Sequence, residues 1–359
     1  MRRGSVSRYV IFAISVATLS SLAFSCNLFT GPHNSSGPDT TSGNFAWTVD
    51  TIGASGSYLY DVTIVNDSLA YAVGLLMPSD SVGRNNTNYW DNAAVWNGTK
   101  WTPMQVPLYY QGQKTFSTAY SVFGRNESDI WFGMGYLEHW DGHQFIQVDP
   151  QLGSVENKIW ESSDGSQLYV VGNYGKISYS PDHGSTWQQV QTGTTLPFQD
   201  IWGDGEQVLA MASDKFGSGG QYIVELNGNV AMHIQDTVHA SLGLSGIWFL
   251  SNEKYFIVGN GIYEADSVMN GGSWDGPFVP LNWFSFAVRG QATNDVIVAG
   301  ESASISHFNG KRWTGFSSLL NTSVRLQSVA IKNNLVIAGG FIHNDAQRLY
   351  YGVAYVGRR

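Results

Sequence analysis

From residue 45 onward, apolar residues come in short runs of about five, separated by polar turns. Some runs alternate apolar and polar positions, and others are apolar throughout. The first kind suits a half-buried strand and the second a strand covered on both faces. Residues 60–74 (YDVTIVNDSLAYAVG) give two runs around a polar Asn66-Asp67-Ser68 turn. Residues 120–145 (YSVFGRNESDIWFGMGYLEHWDGHQF) give a fuller series. It consists of a short strand, a polar turn, Asp129-Ile130-Trp131, a glycine, a strand ending in His139-Trp140, an Asp141-Gly142 turn and a closing Phe145.

The series repeats. Residues 286–313 show Asp295-Val296-Ile297, then His307-Phe308-Asn309-Gly310, then Trp313. Weaker copies fill the gaps and bring the total to seven, with aligned first-strand positions at Asp61, Ser121, Ile159, Asp200, Gly246, Ala287 and Ser328. The steps between them are 60, 38, 41, 46, 41 and 41 residues, and the long first step contains an insertion at 75–92. A period near 41 with four short strands per unit is the pattern of a propeller blade. The expected fold is all-β: a seven-bladed β-propeller over residues 45–359, with four antiparallel strands per blade.

The last copy, ending at 353–359, is one strand short. The missing outer strand carries an aromatic followed by threonine in other copies, as in Trp101-Thr102 and Trp313-Thr314. The same pair, Trp47-Thr48, stands at the start of the domain. Strand 45–50 is therefore expected to complete the C-terminal blade, 325–357, with Trp47 closing the ring and leaving no gap between the first and last blades.

Composition agrees. Charged residues are 13% of the chain, aromatics 14%, and there are 41 glycines. Aromatics suit pleated sheets and glycines suit tight turns. The first 25 residues stand apart: Arg2, Arg3 and Arg8 precede an apolar stretch at 9–24, then Ser25 and Cys26. This segment resembles the signal and lipobox of bacterial lipoproteins. The resemblance implies that residues 1–25 are removed and that Cys26 is lipidated. It also implies an exported protein on an outer membrane or cell surface, facing periplasm or exterior. Residues 26–44, rich in Gly, Ser, Thr, Pro and Asn, then read as a flexible tether. Loss of three arginines and no acids takes the net charge from −9 to −12, which argues against a nucleic-acid partner. A single cysteine allows no intramolecular disulfide, and a monomeric domain is expected.

The Ser121-Val122-Phe123-Gly124, Asp129-Ile130-Trp131 and His139-Trp140-Asp141-Gly142 series resembles a repeat of bacterial exported propellers. Those repeats read Val-Trp-Gly, Asp-Val-Trp-Ala-Val-Gly and His-Trp-Asp-Gly. Ser180, Asp182, Gly184 and Trp187 resemble the Asp-box of sialidases and of photosystem II assembly-factor propellers. The resemblance implies a structural hairpin there, not a catalytic one. Asn97, Asp141, Asn227 and Asn309 occupy the matching turns of other copies.

No catalytic constellation is readable: there is no nucleophile elbow, phosphate-binding loop or His-Glu-x-x-His. His139 and His307 hold equivalent positions in two copies, which favours a structural role over metal ligation. Arg125 and Arg289 are expected in turns between first and second strands, away from any binding face. No metal or cofactor is expected. Loop length is the better guide. The long connections, 75–92, 103–117, 146–156, 212–221, 231–243, 264–273, 276–284, 315–324 and 341–349, are expected on one face, where rigid scaffolds bind. Tyr89, Trp90, Tyr109 and Tyr110 on that face suit a protein or glycan partner. The reading is a non-enzymatic binding or scaffolding protein. The alternatives are a carbohydrate-active enzyme of glycosidase or lyase type on the same face, and an assembly factor for a membrane complex.

Overall fold

The computed structural model describes residues 41–78, 90–215, 220–234, 243–268, 272–344 and 349–359. The expected signal segment 1–25, Cys26, the tether up to residue 40 and Tyr89 lie outside the described residues.

Seven four-stranded antiparallel sheets form the structure. Their first strands are Tyr58–Asn66, Ser121–Asn126, Glu156–Glu161, Phe198–Gly203, Leu244–Leu250, Ser285–Ala292 and Val324–Lys332. Each packs against the first strands before and after it, and the seventh meets the first, so these strands line the centre of a ring. We number the blades one to seven in this order.

The chain ends close the ring as the missing strand requires. Ala46–Ile52 pairs antiparallel with Leu349–Arg358, from Ala46 opposite Arg358 to Ile52 opposite Gly352. Trp47 sits opposite Gly357, and a Cβ at Gly357 would come within 2.9 Å of its ring. The indole packs against Phe316 and Phe45, with ring centres 5.4 and 5.7 Å away.

The core is divided into layers between blades. One layer joins Leu335, Ile337 and Val356 of the last blade to Leu59, Val62 and Ile64 of the first. Another joins Trp160 and Tyr169 to Phe198 and Ile201. Polar turns follow one local rule. The side-chain oxygens of Asn97, Asp141 and Asn309 each accept two backbone N–H groups just downstream, and each is followed by a glycine at φ 92°. That left-handed backbone admits glycine without steric cost. In the longer hairpin between Ser180 and Gln188, Asp182 accepts from Thr186 N and Thr186 Oγ1, both at 2.7 Å. There Gly184 N donates to Ser180 Oγ at 2.8 Å and the Trp187 indole donates to Gly184 O at 3.1 Å.

Two details differ from the sequence reading. The blade-three residue equivalent to Asp61 and Asp200 is Lys158, not Ile159, because an unpaired residue shifts the register at 157. Connection 264–273 joins a third strand, Gly261–Ala265, to an outer strand, Asp275–Phe278, so it belongs to the short-turn face despite its length.

Truncating Trp47 removes its contacts with Phe45 and Phe316 at the seam and empties the space over Gly357. Trp47→Ala is expected to lower unfolding stability by about 3 kcal/mol. Urea denaturation of the variant against the parent chain checks this, and an unchanged midpoint would show that the seam does not depend on the indole.

Candidate functional site: the central channel and the long-connection face

The first strands share an irregularity that determines what the channel contains. In six blades their register against the second strand slips by one residue near the start of the first strand. The skipped residues are Tyr60, Asn157, Gln199, Ser245, Phe286 and Gln327. A bulge of this kind re-aims one side chain out of the alternating pattern. All six, with Tyr120 of blade two, line a cavity of about 130 Å³ in the centre of the ring. Lys158, Asp200, Lys215 and Arg289 complete the polar part of its wall. The bulges fall directly after the inter-blade connections, and Lys215 lies between second and third strands of blade four. The cavity therefore sits at the end of the channel bordered by the long connections.

The residue after the bulge is an aspartate twice, and both do the same work. Asp61 accepts Val62 N at 2.9 Å and Val122 N of the next blade at 3.0 Å. Ser328 of blade seven donates to it at 2.6 Å, and Lys158 of blade three forms an ion pair with it. Asp200 accepts Ile201 N and Ile247 N of the next blade, both at 3.0 Å. Arg289, two blades on, grips Asp200 with two bonds of 2.7 and 2.8 Å. Each aspartate thus ties its own strand to the neighbouring strand and takes its counter-charge from the blade beyond. The two networks between them reach all seven blades.

Arg289 corrects the sequence reading. It lies within the first strand Ser285–Ala292, not in a turn, and its guanidinium enters the channel. Arg125, at 121–126, bonds Asp129 through Nε at 2.6 Å and Ser163 O at 3.2 Å.

His139 and His307 each meet the aspartate that opens the second strand of their blade. His139 Nε2 lies 2.9 Å from Asp129 Oδ1, and His307 Nε2 lies 2.9 Å from Asp295 Oδ1. Each aspartate also holds an arginine, Arg125 or Arg359. Burial works to raise both carboxyls, but the histidine bonds and the arginines outweigh it and hold both below the ordinary range. His183 adds a third ligand-type atom near Asp129, within 4.8 Å of the other two. It pairs with Glu161 through Nδ1 at 2.5 Å, and Arg125 already occupies the Asp129 carboxylate. The recurrence of the pair in blade six, and the guanidinium at its centre, make this a strand-bracing relay rather than a cation cage.

On the long-connection face, Tyr109 and Tyr110 sit on a small extra hairpin, Leu108–Tyr110 with Gln113–Thr115. Gln147 of blade two fixes it, accepting Tyr109 N at 2.6 Å and donating to Tyr109 O at 2.8 Å. Tyr109 is 48% exposed and Tyr110 57%. Trp90 is half-buried, with its indole N–H out of solvent and its carbonyl accepting Gln105 Nε2 at 3.2 Å. The structure therefore leaves Tyr109 and Tyr110 open and tucks Trp90 in. Sequence reasoning missed the channel residues. The signal available was the aspartate recurring at aligned positions 61 and 200, where a strand in the middle of a fold is ordinarily apolar.

No family model matches the chain, and no curated protein matches it. Similar solved structures include YCF48 bound to D1 peptide, at 16% identity and a TM-score of 0.62, covering 87% of this chain and 97% of the other. YCF48 from Cyanidioschyzon merolae matches at 14% identity and a TM-score of 0.55, covering 87% of this chain and 98% of the other. The WD40 β-propeller domain of Doa1 matches at 13% identity and a TM-score of 0.58, covering 88% and 97%. At these identities the likeness establishes the propeller fold.

Two acids outside the channel are strongly perturbed. Glu138 is fully buried with neither oxygen hydrogen-bonded among the described residues, and burial pushes its carboxyl up to about 7. Burial also pushes Glu156 up to about 7, against one hydrogen bond from Gly135 N at 2.7 Å. Neither lines the channel cavity, so they bear on stability. Their folded pKa lies above the ordinary 4.5, so the folded chain holds more protons between about pH 4.5 and 7. Stability is then lost as pH rises through that window. Glu138→Gln is expected to stabilise the chain at pH 7.5 and to flatten this decline, as read from urea midpoints at several pH values.

Proposed function

We propose that this chain is an exported, lipid-anchored propeller that binds a protein partner on its long-connection face and serves as a scaffold rather than an enzyme. The observation that carries the reading is the Leu108–Thr115 hairpin. It stands outside the four-strand plan of the blades, is fixed by Gln147 at both backbone groups of Tyr109, and presents two exposed tyrosines. Rigid aromatic side chains that lose little freedom on contact are the usual anchors of protein interfaces. The channel chemistry points the same way. The oxygens of Asp61 and Asp200 are engaged with backbone amides and cations, so neither is free to act as general acid or base. One similar fold, YCF48, has been solved with a D1 peptide bound, so the architecture is compatible with peptide recognition. Anchoring rests on the lipobox at Cys26 and the composition of the tether.

Two measurements test this. Full-length chain used as bait on solubilised envelope proteins is expected to capture a defined partner. The Tyr109→Ala/Tyr110→Ala variant, with unchanged far-ultraviolet circular dichroism, is expected to bind that partner at least ~10-fold more weakly. Equal capture by both would move the binding face elsewhere. Cys26→Ser is expected to shift the chain from the membrane fraction to the soluble fraction, and retention in the membrane fraction would overturn lipid anchoring.

A further inference from the structure

The charges in the channel do not cancel. Two cation–acid pairs are made there, Lys158 with Asp61 and Arg289 with Asp200, while a third, Arg325 with Glu301 at 2.8 and 3.1 Å, lies outside the cavity wall. The third cation of the cavity wall, Lys215, has no hydrogen bond or ion pair among the described residues. Its ammonium lies over the Phe286 ring, 5.9 Å to the centre. Burial, with Lys158 and Arg325 adding to it and Asp200 opposing, holds Lys215 down at about 8. A cation left in this condition is costly to keep unless something anionic visits it.

The neighbours of Lys215 are donors without acceptors. The hydroxyls of Tyr60 and Tyr120 and the amide of Gln327 line the cavity, and none makes a hydrogen bond among the described residues. The carboxylate acceptors, by contrast, are already used. Both Asp61 oxygens and both Asp200 oxygens hold N–H or cationic partners. An incoming cation or amine would meet occupied carboxylates and three positive side chains. An incoming monoanion would meet one surplus charge and three idle donors.

We propose that the end of the channel is a receptor for a carboxylate group, with Lys215 as its counter-charge and Tyr60, Tyr120 and Gln327 as its hydrogen-bond donors. A planar acceptor-only group of single charge fits one surplus ammonium and a ring of neutral donors. The carboxylate comes either from a free small acid or from the end of a bound polypeptide. The site goes beyond the docking role of the tyrosine hairpin and stands without it.

The test uses the full chain and calorimetric titration at pH 7 with chloride matched throughout. The probes are sodium propionate, N-acetyl-triglycine with a free carboxylate, and the same peptide as its C-terminal amide. Binding of propionate or of the free-carboxylate peptide, together with weaker binding of the amide, is expected. Tighter binding of propionate assigns the site to free acids, and tighter binding of the peptide assigns it to chain ends. Lys215→Gln is expected to lower that affinity at least ~10-fold, equivalent to 1.4 kcal/mol, and Lys215→Arg to restore part of it. The Tyr109→Ala/Tyr110→Ala variant is expected to titrate like the parent, which separates this site from the protein-docking face. No heat with either carboxylate, or equal affinity in Lys215→Gln with its unfolding midpoint intact, overturns the proposal.

Discussion

Each blade buries its apolar faces only against its two neighbours, so the structure depends on the seventh blade meeting the first. A line of seven sheets would leave Leu59, Val62 and Ile64 on one end and Leu335, Ile337 and Val356 on the other, all facing water. Joined, they form one more inter-blade layer of the same kind as the rest. The pairing of Ala46–Ile52 with Leu349–Arg358 secures the join, because the last blade cannot come apart without unpairing the start of the domain. Radial repetition leaves each blade only a short outer edge strand, such as Gln188–Gln189 or Trp313–Gly315.

The centre of the ring has a different problem. First strands converge there and present backbone amides toward a narrow channel with no further strand to receive them. Asp61 and Asp200 solve it by accepting amides from two strands at once. Burying a carboxylate requires a counter-charge, and it comes here from two blades away, from Lys158 and Arg289. The bulges preceding these positions send the polar side chains of Asn157, Gln199 and Gln327 inward. The channel is therefore polar as a consequence of how the blades are held, and the unpaired Lys215 stands out within it.

The fold was legible because it is local and repeated. Asp-Gly and Asn-Gly turns, strand-length apolar runs and a 41-residue period need no knowledge of distant contacts, and the stray Trp47-Thr48 pair matched the only gap in the series. The channel was not legible for the opposite reason. A bulge adds one residue without altering composition, so Ile159 looked equivalent to Asp200 when Lys158 is. Arg289 looked like a turn residue because its partner is 89 positions away in sequence. Connection 264–273 was assigned by length alone, and length does not say which strands a loop joins. On the long-connection face, exposure separated Tyr109 and Tyr110 from Trp90, a distinction that aromatic character alone does not carry.

The seam between the two ends of the chain also sets the order in which the molecule can be made. Residues 46–52 are made before all seven first strands, and their partner, Leu349–Arg358, follows every other strand. Through the whole of synthesis that opening strand has no place to go, and the first blade has one bare flank. Six blades can assemble step by step from contacts close in sequence, which is fast. The final event pairs two strands from opposite ends of the domain's sequence, although for a flexible chain the entropic cost grows only slowly with such separation. The commitment step comes at the end, so a truncated chain gains little of the finished ring's stability.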